Sequence, residues 1–165
     1  MPNRELSVLA SGYTYLEGLR WHDDRLWASD FYTGQIITVT PQGAVDRVCL
    51  VPQQPSGLGW LPDGRMLISS MKDRKVLRRE KDGALSVHAD LSALTGGHIN
   101  DMVVDAQGRA YVGNFGFDIM AGAPVRTTTL VRVDPDGVAQ VVADGLCFPN
   151  GSFITPDGKT LIVNE

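Results

Sequence analysis

Short segments in which apolar and polar residues alternate follow one another along the whole chain, and turn residues such as Pro-Asp-Gly separate them. This pattern predicts β-strands joined by tight turns. One unit, a short strand, a turn and a second strand, occurs four times. The basic residue after its turn is Arg25, Arg65, Arg109 or Lys159, at spacings of 40, 44 and 50 residues. A drifting period of this length, carried by strands, is typical of a β-propeller rather than a helical solenoid.

Each full repeat contains four strand-sized segments. They are predicted at 19–21, 26–29, 35–40 and 45–50 in the first repeat, and at 57–60, 66–70, 75–79 and 85–89 in the second. The third repeat begins at Asn100, carries an insertion at 115–124, and continues with strands at 129–133 and 139–143. The predicted fold class is therefore all-β, a propeller of about three and a half four-stranded blades in an incomplete ring. A strand at 5–10 is predicted to be the ring-closing strand.

The fourth repeat starts at Asn150 and contains only two strand segments before Glu165. A blade of two strands presents an unpaired edge, and terminal repeats need polar outer faces. We therefore expect residues 1–165 to be the N-terminal portion of a single propeller domain, truncated in blade four. Half of an assembly completed by another chain is the alternative. Such a chain is expected to be marginally stable on its own.

Composition and charge limit the kinds of partner that this chain is expected to bind. The chain has 165 residues, 43% of them hydrophobic, and a formal net charge of −4 without a basic cluster, so nucleic acid is not an expected partner. Its apolar runs are strand-sized and its N-terminus leads into no apolar signal region, so we expect no membrane association and a cytoplasmic location. Cys49 and Cys147 lie far apart, which predicts two reduced core thiols rather than a metal site.

Equivalent positions at the start of the innermost strands should face the central channel of a propeller. These positions hold Glu17, Ser56, Asn100 and Asn150. Glu and Asn oxygen atoms that converge on an axis suit a hard divalent cation such as Ca²⁺ or Mg²⁺, and no His/Cys cluster favours structural zinc. The same residues also suit turns at strand entry. The pattern by itself leaves both interpretations open.

Three separated motifs resemble one family. They are Glu17-Gly18 with the segment 21–30, Asn100-Asp101 with 105–109, and Pro149-Asn150-Gly151 with 155–161. Together they make the chain similar to the senescence-marker-protein/gluconolactonase/regucalcin family. The resemblance implies a six-bladed propeller with one divalent cation in its axial channel, and hydrolysis of sugar lactones or related esters. The partner that it implies is a small-molecule lactone or ester.

Site residues are carried over from this resemblance one at a time. Glu17 and Asn150 look like two of three protein ligands to the metal, and Asn100 looks like a substrate-binding residue. The resemblance implies Ca²⁺ as the cofactor, with Zn²⁺, Mn²⁺ and Mg²⁺ as alternatives. The family's third ligand and general base is an Asp from a later repeat, beyond Glu165. The catalytic residue is therefore not identified in this sequence, and we expect the chain by itself to be inactive as a lactonase.

Two positions depart from the family pattern. Many members place an Arg two residues before the Asn that matches Asn100, whereas this chain has His98, which is predicted to contact substrate in its place. Asp118, in the insertion, falls where some members have a substrate-contacting acid, although a turn residue is equally compatible. Two other functions stay open: a non-catalytic propeller used as a binding scaffold, and an aryl-ester or phosphotriester hydrolase with the same metal site. The oligomeric state is not determined by the sequence.

Overall fold

The computed structural model describes residues 6–165, and these residues form an all-β fold in which no residue is helical. Three sheets have four antiparallel strands each, and a fourth sheet has two. Their strands are β1 (Leu16–His22), β2 (Arg25–Asp30), β3 (Gln35–Val39), β4 (Val45–Leu50), β5 (Pro55–Trp60), β6 (Met66–Ser70), β7 (Lys75–Arg79), β8 (Leu85–Asp90), β9 (Ile99–Val104), β10 (Ala110–Asn114), β11 (Thr128–Val133), β12 (Ala139–Leu146), β13 (Ser152–Ile154) and β14 (Leu161–Val163). The arrangement confirms the predicted incomplete propeller.

In the second and third repeats, the recurring basic residue stabilises the hairpin turn that precedes it. In the second repeat, Arg65 donates its backbone N–H to Asp63 Oδ1 at 3.1 Å and its Nε–H to Asp63 Oδ2 at 2.8 Å. In the third repeat, Arg109 makes the corresponding pair of bonds to Asp105, at 2.9 and 2.6 Å. Gly64, between Asp63 and Arg65, has a φ of 83°, a conformation that favours glycine. Local turn chemistry therefore accounts for this part of the repeat.

The inner strands β1, β5, β9 and β13 lie next to one another in chain order, and β9 also contacts β1. Apolar side chains fill the space between adjacent sheets. One core cluster, which includes Leu67, Met102 and Val131, lies between the second and third sheets. Another, which includes Ile36, Leu58 and Ile68, lies between the first and second sheets. The core therefore consists of layers between blades, and the inner strands converge at one end of these layers.

Glycines permit this convergence. A Cβ on Gly57 would lie 2.8 Å from the Asp101 carbonyl carbon and closer still to Met102 N, which are backbone atoms of β9. A Cβ on Gly18 would overlap the carbonyl oxygen of Ser56. Since only a residue without a side chain fits at these positions, the spacing of the inner strands depends on glycine.

Two expectations from the sequence are wrong. Residues 6–10 of the segment predicted as a ring-closing strand are not in a strand, and residue 5 lies outside the described residues. Cys49 is partly buried, but Cys147 is exposed rather than in the core; both are free thiols.

Within residues 6–165 we find no helix with the length and apolar character needed to cross a membrane.

Candidate metal and substrate site

Three of the four predicted axial residues line one cavity of about 330 Å³. Glu17 comes from β1, Asn100 from β9, and Asn150 from the segment just before β13. The fourth, Ser56 of β5, is fully buried beside Asn100. Three different sheets therefore supply oxygen-bearing side chains to a single cavity, which we call the axial cavity.

Irregular strand pairing accompanies three of these positions, Glu17, Ser56 and Asn100. The register between β1 and β2 shifts just after Glu17, and the register between β5 and β6 shifts between Pro55 and Leu58, where Ser56 lies. The β9–β10 pair shifts between Ile99 and Met102, where Asn100 lies. A β-bulge of this kind turns a side chain away from its regular direction, and bulges are frequent beside active sites. The inner strands β1, β5 and β9 therefore break their regular pairing at their axial residues.

Glu17 occupies an electrostatically unfavourable position. Partial burial raises the pKa of its carboxyl above the ordinary 4.5, and the nearby charge of Asp101 raises it further. Asp101 is itself paired with Arg20, whose Nη2 lies 2.7 Å from Asp101 Oδ1. Within residues 6–165, no hydrogen bond or ion pair reaches the Glu17 carboxylate. The negative charge in the cavity is therefore not compensated by the described protein groups.

Asn100 is 4% exposed, and its side chain is only partly hydrogen-bonded. Its Oδ1 accepts a bond from Ser56 Oγ at 3.3 Å, and Ser29 Oγ donates to the Ser56 carbonyl oxygen at 2.7 Å. Asn100 Nδ2 is buried without a partner among the described residues. Because a serine hydroxyl both donates and accepts, the opposite amide orientation would pair Nδ2 with Ser56 Oγ and leave Oδ1 unpaired instead. In either orientation, one polar atom of Asn100 is available to a ligand.

The wall of the axial cavity is apolar, which the sequence analysis did not foresee. Phe31, Met71, Phe115 and Phe148 form a core cluster, and the rings of Phe115 and Phe148 are stacked with centroids 4.4 Å apart. All four residues line the axial cavity. The sequence did contain a signal, since Phe31, Met71 and Phe115 each lie six residues after the recurrent basic residue. A cavity with an apolar wall and a few polar groups is typical of small-molecule sites.

His98 and Asp118, predicted to contact substrate, do not line the axial cavity. They lie in a neighbouring cavity of about 250 Å³, together with Lys72 and Arg74. Burial lowers the pKa of His98 below the ordinary 6.5; the charge of Asp118 opposes this shift, and the charges of Lys72 and Arg74 add to it. The structure thus separates these two residues from Glu17, Asn100 and Asn150. Lys72 and Arg74 are site candidates that the sequence analysis missed.

The residues present fit a hard cation in part. One carboxylate and two amide side chains line the axial cavity, and oxygen atoms of these types are ligands for Ca²⁺. Uncompensated negative charge at Glu17 favours a bound cation. Asn100 could add a ligand only in the opposite amide orientation, in which Oδ1 rather than Nδ2 is unpaired. However, the described residues contain no group of three His, Cys, Asp or Glu side chains positioned to hold a metal ion. The donor set is therefore rich in neutral oxygen atoms and contains one carboxylate.

Comparisons with known proteins identify relatives of nearly the entire chain. The profile described as "SMP-30/Gluconolactonase/LRE-like region" matches residues 16–165. A curated relative, the pentonolactonase XacC of Haloferax volcanii, is 27% identical over 151 residues, which are 90% of this chain and 49% of the relative. The chain thus spans about half the length of this curated relative.

Solved structures show the same fold. The gluconolactonase XC5397 of Xanthomonas campestris superposes with a TM-score of 0.78 at 23% identity, over 95% of this chain and 56% of that one. Regucalcin from Agrobacterium tumefaciens, described as a calcium-binding protein, superposes with a TM-score of 0.74 at 22% identity, over 93% of this chain and 51% of that one. The described residues therefore correspond to about half of a propeller of this type.

Proposed function

Because this chain belongs to the SMP-30/gluconolactonase/LRE-like family, we propose that it supplies part of the active site of a metal-dependent hydrolase of sugar lactones or related esters. The relative named a pentonolactonase and the neighbour named a gluconolactonase support the lactone class. The observation that carries the proposal is the axial cavity. Glu17, Asn100 and Asn150 come from three sheets and meet there beside an apolar wall.

In this proposal Glu17 and Asn150 are ligands of one divalent cation, with Ca²⁺ as the first candidate. Asn150 is held in place through its backbone, since its N–H donates to the Asn164 carbonyl oxygen at 2.9 Å. A cation beside Glu17 would remove the electrostatic penalty that raises the pKa of this carboxyl. The neighbour described as a calcium-binding protein supports the choice of ion.

A bound divalent cation polarises a carbonyl group and lowers the pKa of a coordinated water. The chain's own residues provide binding and orientation. The unpaired polar atom of Asn100 is placed to hydrogen-bond the lactone ring oxygen or a hydroxyl group, while Phe115 and Phe148 cover the apolar face of the ring and exclude water. Exclusion of water strengthens the electrostatic interactions inside the cavity.

Proton removal from the attacking water needs a general base, and we propose that an Asp outside residues 1–165 provides it. General-base catalysis typically contributes about 10²- to 10⁴-fold to the rate. The chain by itself is therefore expected to bind the cation and the lactone but to hydrolyse lactones poorly. Complementation by a polypeptide with that Asp should restore turnover.

The experiment is a calorimetric titration of the chain with Ca²⁺, Mn²⁺ and Zn²⁺, followed by the variants Glu17→Gln and Asn150→Ala. Loss of a hydrogen-bond partner of a metal ligand weakens metal binding by about 10- to 100-fold, so loss of a ligand should weaken it by at least as much. The matched control is Asp24→Asn, which removes the same charge from an exposed turn of the same sheet. Its cation affinity should equal that of the parent chain.

The outcome separates the candidate functions. Absence of cation binding in the parent chain, or equal binding in Glu17→Gln and Asp24→Asn, would contradict the metal site and favour a non-catalytic scaffold. If the cation binds, titration with lactones, aryl esters and phosphotriesters identifies the substrate class. Preference for an aryl ester or a phosphotriester over every lactone would contradict the lactonase assignment while preserving the metal site.

A further inference from the structure

The neighbouring cavity that contains His98 has a distinct chemical character. Two basic side chains, Lys72 and Arg74, line it. The backbone of Gly96 and Gly97 packs against the insertion: a Cβ on Gly96 would lie 2.6 Å from the Gly116 carbonyl oxygen. The Gly96-Gly97 loop and the insertion are therefore adjacent walls of this space. We call this space the basic cavity.

The cations of the basic cavity are not neutralised by local acids. Asp73, between the two in sequence, pairs with Lys75 at 3.6 Å and accepts a hydrogen bond from Ser70. Among the described residues, no carboxylate lies within ion-pair distance of Lys72 or Arg74. Arg74 uses one nitrogen, Nη1, to donate to the Thr95 carbonyl oxygen at 3.1 Å, and this bond fixes the position of the guanidinium group.

One acid shares the basic cavity, and another lies near its edge. Asp118 lines the cavity, and its Oδ1 accepts the Ala121 N–H at 3.1 Å. Asp90 does not line the cavity; it is exposed, and the hydrogen bonds from Ser92, followed by the charges of Lys75 and Arg74, lower its pKa. Two cations therefore face one carboxylate inside the cavity, whereas the whole chain carries a net charge of −4. A local excess of positive charge on an acidic protein attracts an anion.

The basic cavity and the axial cavity share walls. Met71 lines the axial cavity and directly precedes Lys72; Ile119 lines it and directly follows Asp118. The rings of His98 and Phe115 also adjoin, with centroids 5.9 Å apart. The two cavities therefore adjoin near Met71 and Phe115.

We propose that the basic cavity binds an anionic substituent, a carboxylate or a phosphate, of the lactone held in the axial cavity. The planar guanidinium of Arg74 pairs with two oxygen atoms of such a group, and the Lys72 ammonium adds a flexible point charge. His98 contributes a further ring nitrogen to the same wall. This inference rests on the proposed lactone site, and it makes Lys72 and Arg74 specificity-determining residues for acidic over neutral sugar lactones.

The test compares three probes by calorimetric titration of the chain in the presence of Ca²⁺. D-Glucono-1,4-lactone is neutral, D-glucaro-1,4-lactone has a carboxylate in place of its hydroxymethyl group, and 6-phospho-D-glucono-1,4-lactone carries a phosphate on the same lactone ring. We expect at least one anionic lactone to bind about 10-fold more tightly than the neutral one at low salt, and the preference to shrink as salt screens it. The stronger of the two anionic probes identifies the substituent.

The variant Lys72→Gln should reduce the preference for the anionic lactone by about 3-fold without changing affinity for the neutral lactone, as expected for an exposed charge. Lys81→Gln is the matched control, because Lys81 is an equally exposed lysine at the opposite end of β7. Asp118→Asn removes the opposing charge and should increase the preference. An increased preference for the anionic lactone cannot result from unfolding of the variant, because unfolding weakens binding. Arg74→Lys, which keeps the charge but loses the planar fork, should retain part of the preference.

Equal affinity for all three lactones, or a preference that Lys72→Gln and Asp118→Asn leave unchanged, would overturn the inference while the proposed lactone site stands. Conversely, an anionic lactone whose binding depends on Lys72 supports the inference even if the neutral lactone fails to bind. Failure of the neutral lactone to bind would show that the axial cavity is not the main source of lactone affinity. The two proposals therefore fail in different measurements.

Discussion

Replacement of Gly57 by Ala tests whether glycine sets the spacing of the inner strands. A new Cβ at this position would lie 2.8 Å from the Asp101 carbonyl carbon and 2.9 Å from Asp101 Cα, whereas ordinary contact begins at 3.4 Å. The strands β5 and β9 would have to separate by at least 0.6 Å, the difference between the 2.8 Å distance and the 3.4 Å of an ordinary contact. All of the nearest atoms belong to the backbone, so no side chain can rotate away to relieve the overlap.

Overpacking of a well-packed interior destabilises proteins by about 1–3 kcal/mol, and rigid backbone neighbours place Gly57→Ala near about 3 kcal/mol. The strand separation should also lengthen the 3.3 Å hydrogen bond from Ser56 Oγ to Asn100 Oδ1 and so disturb the axial cavity. We therefore expect Gly57→Ala to lower both the free energy of unfolding and the affinity for Ca²⁺.

The assay is urea unfolding followed by tryptophan fluorescence, with Gly151→Ala as the matched control. Gly151 follows the axial residue Asn150 as Gly57 follows Ser56, and neither glycine has a positive φ. A Cβ on Gly151 would meet only the Asn164 side chain, at 3.6 Å. This control should be neutral or slightly stabilising, by about 0.5 kcal/mol, because alanine restricts the unfolded chain. Harmless substitutions usually change the free energy of unfolding by no more than about 0.5 kcal/mol. If Gly57→Ala and Gly151→Ala differ by no more than this, glycine at position 57 does not set the strand spacing.

Two further predictions concern titrating groups. A 2.6 Å hydrogen bond from Ser86 Oγ and bonds from Arg78 lower the pKa of Glu80 from 4.5 to about 2. The ionised Glu80 carboxylate should therefore stabilise the fold fully above pH 4.5, and this contribution should be lost as the pH falls toward 2. Glu80→Gln should make the free energy of unfolding less dependent on pH in this range. An unchanged pH dependence would contradict the low pKa of Glu80. The variant Asp101→Asn should lower the pKa of Glu17 only part of the way to 4.5, because burial is the larger cause and persists. Carboxyl-carbon NMR titration measures this pKa, and no change on substitution would show that Glu17 does not sense the charge of Asp101.

Local interactions made much of the fold predictable from the sequence. Alternation of apolar and polar residues determines strand segments, and Asp-Gly turns with a following Arg are stabilised within a few residues, as at Asp63 and Arg65. The three full blades and the paired strands of the fourth follow from these local signals. The oxygen donors Glu17, Asn100 and Asn150 were recognisable because repetition places equivalent residues at equivalent radii.

Contacts between blades were not predictable in this way. The sequence contains Phe31, Met71 and Phe115 at regular spacing, but only packing of adjacent sheets brings them together as a wall. Likewise, proximity in sequence suggested that His98 would share a site with Asn100. Regular alternation would put these two residues, which are two positions apart, on the same face of a strand. His98 precedes β9, however, and the β9–β10 register shifts at Asn100, so the alternation does not hold there.

The sequence therefore determined which residues form strands, turns and repeats, because those choices depend on neighbours along the chain. Tertiary structure decided which side chains share a cavity. It placed Glu17, Asn100 and Asn150 together and grouped His98 and Asp118 with Lys72 and Arg74. The physical reason is that contacts between sheets join residues some forty positions apart, and glycine positions, bulges and core volume set the distances across those contacts.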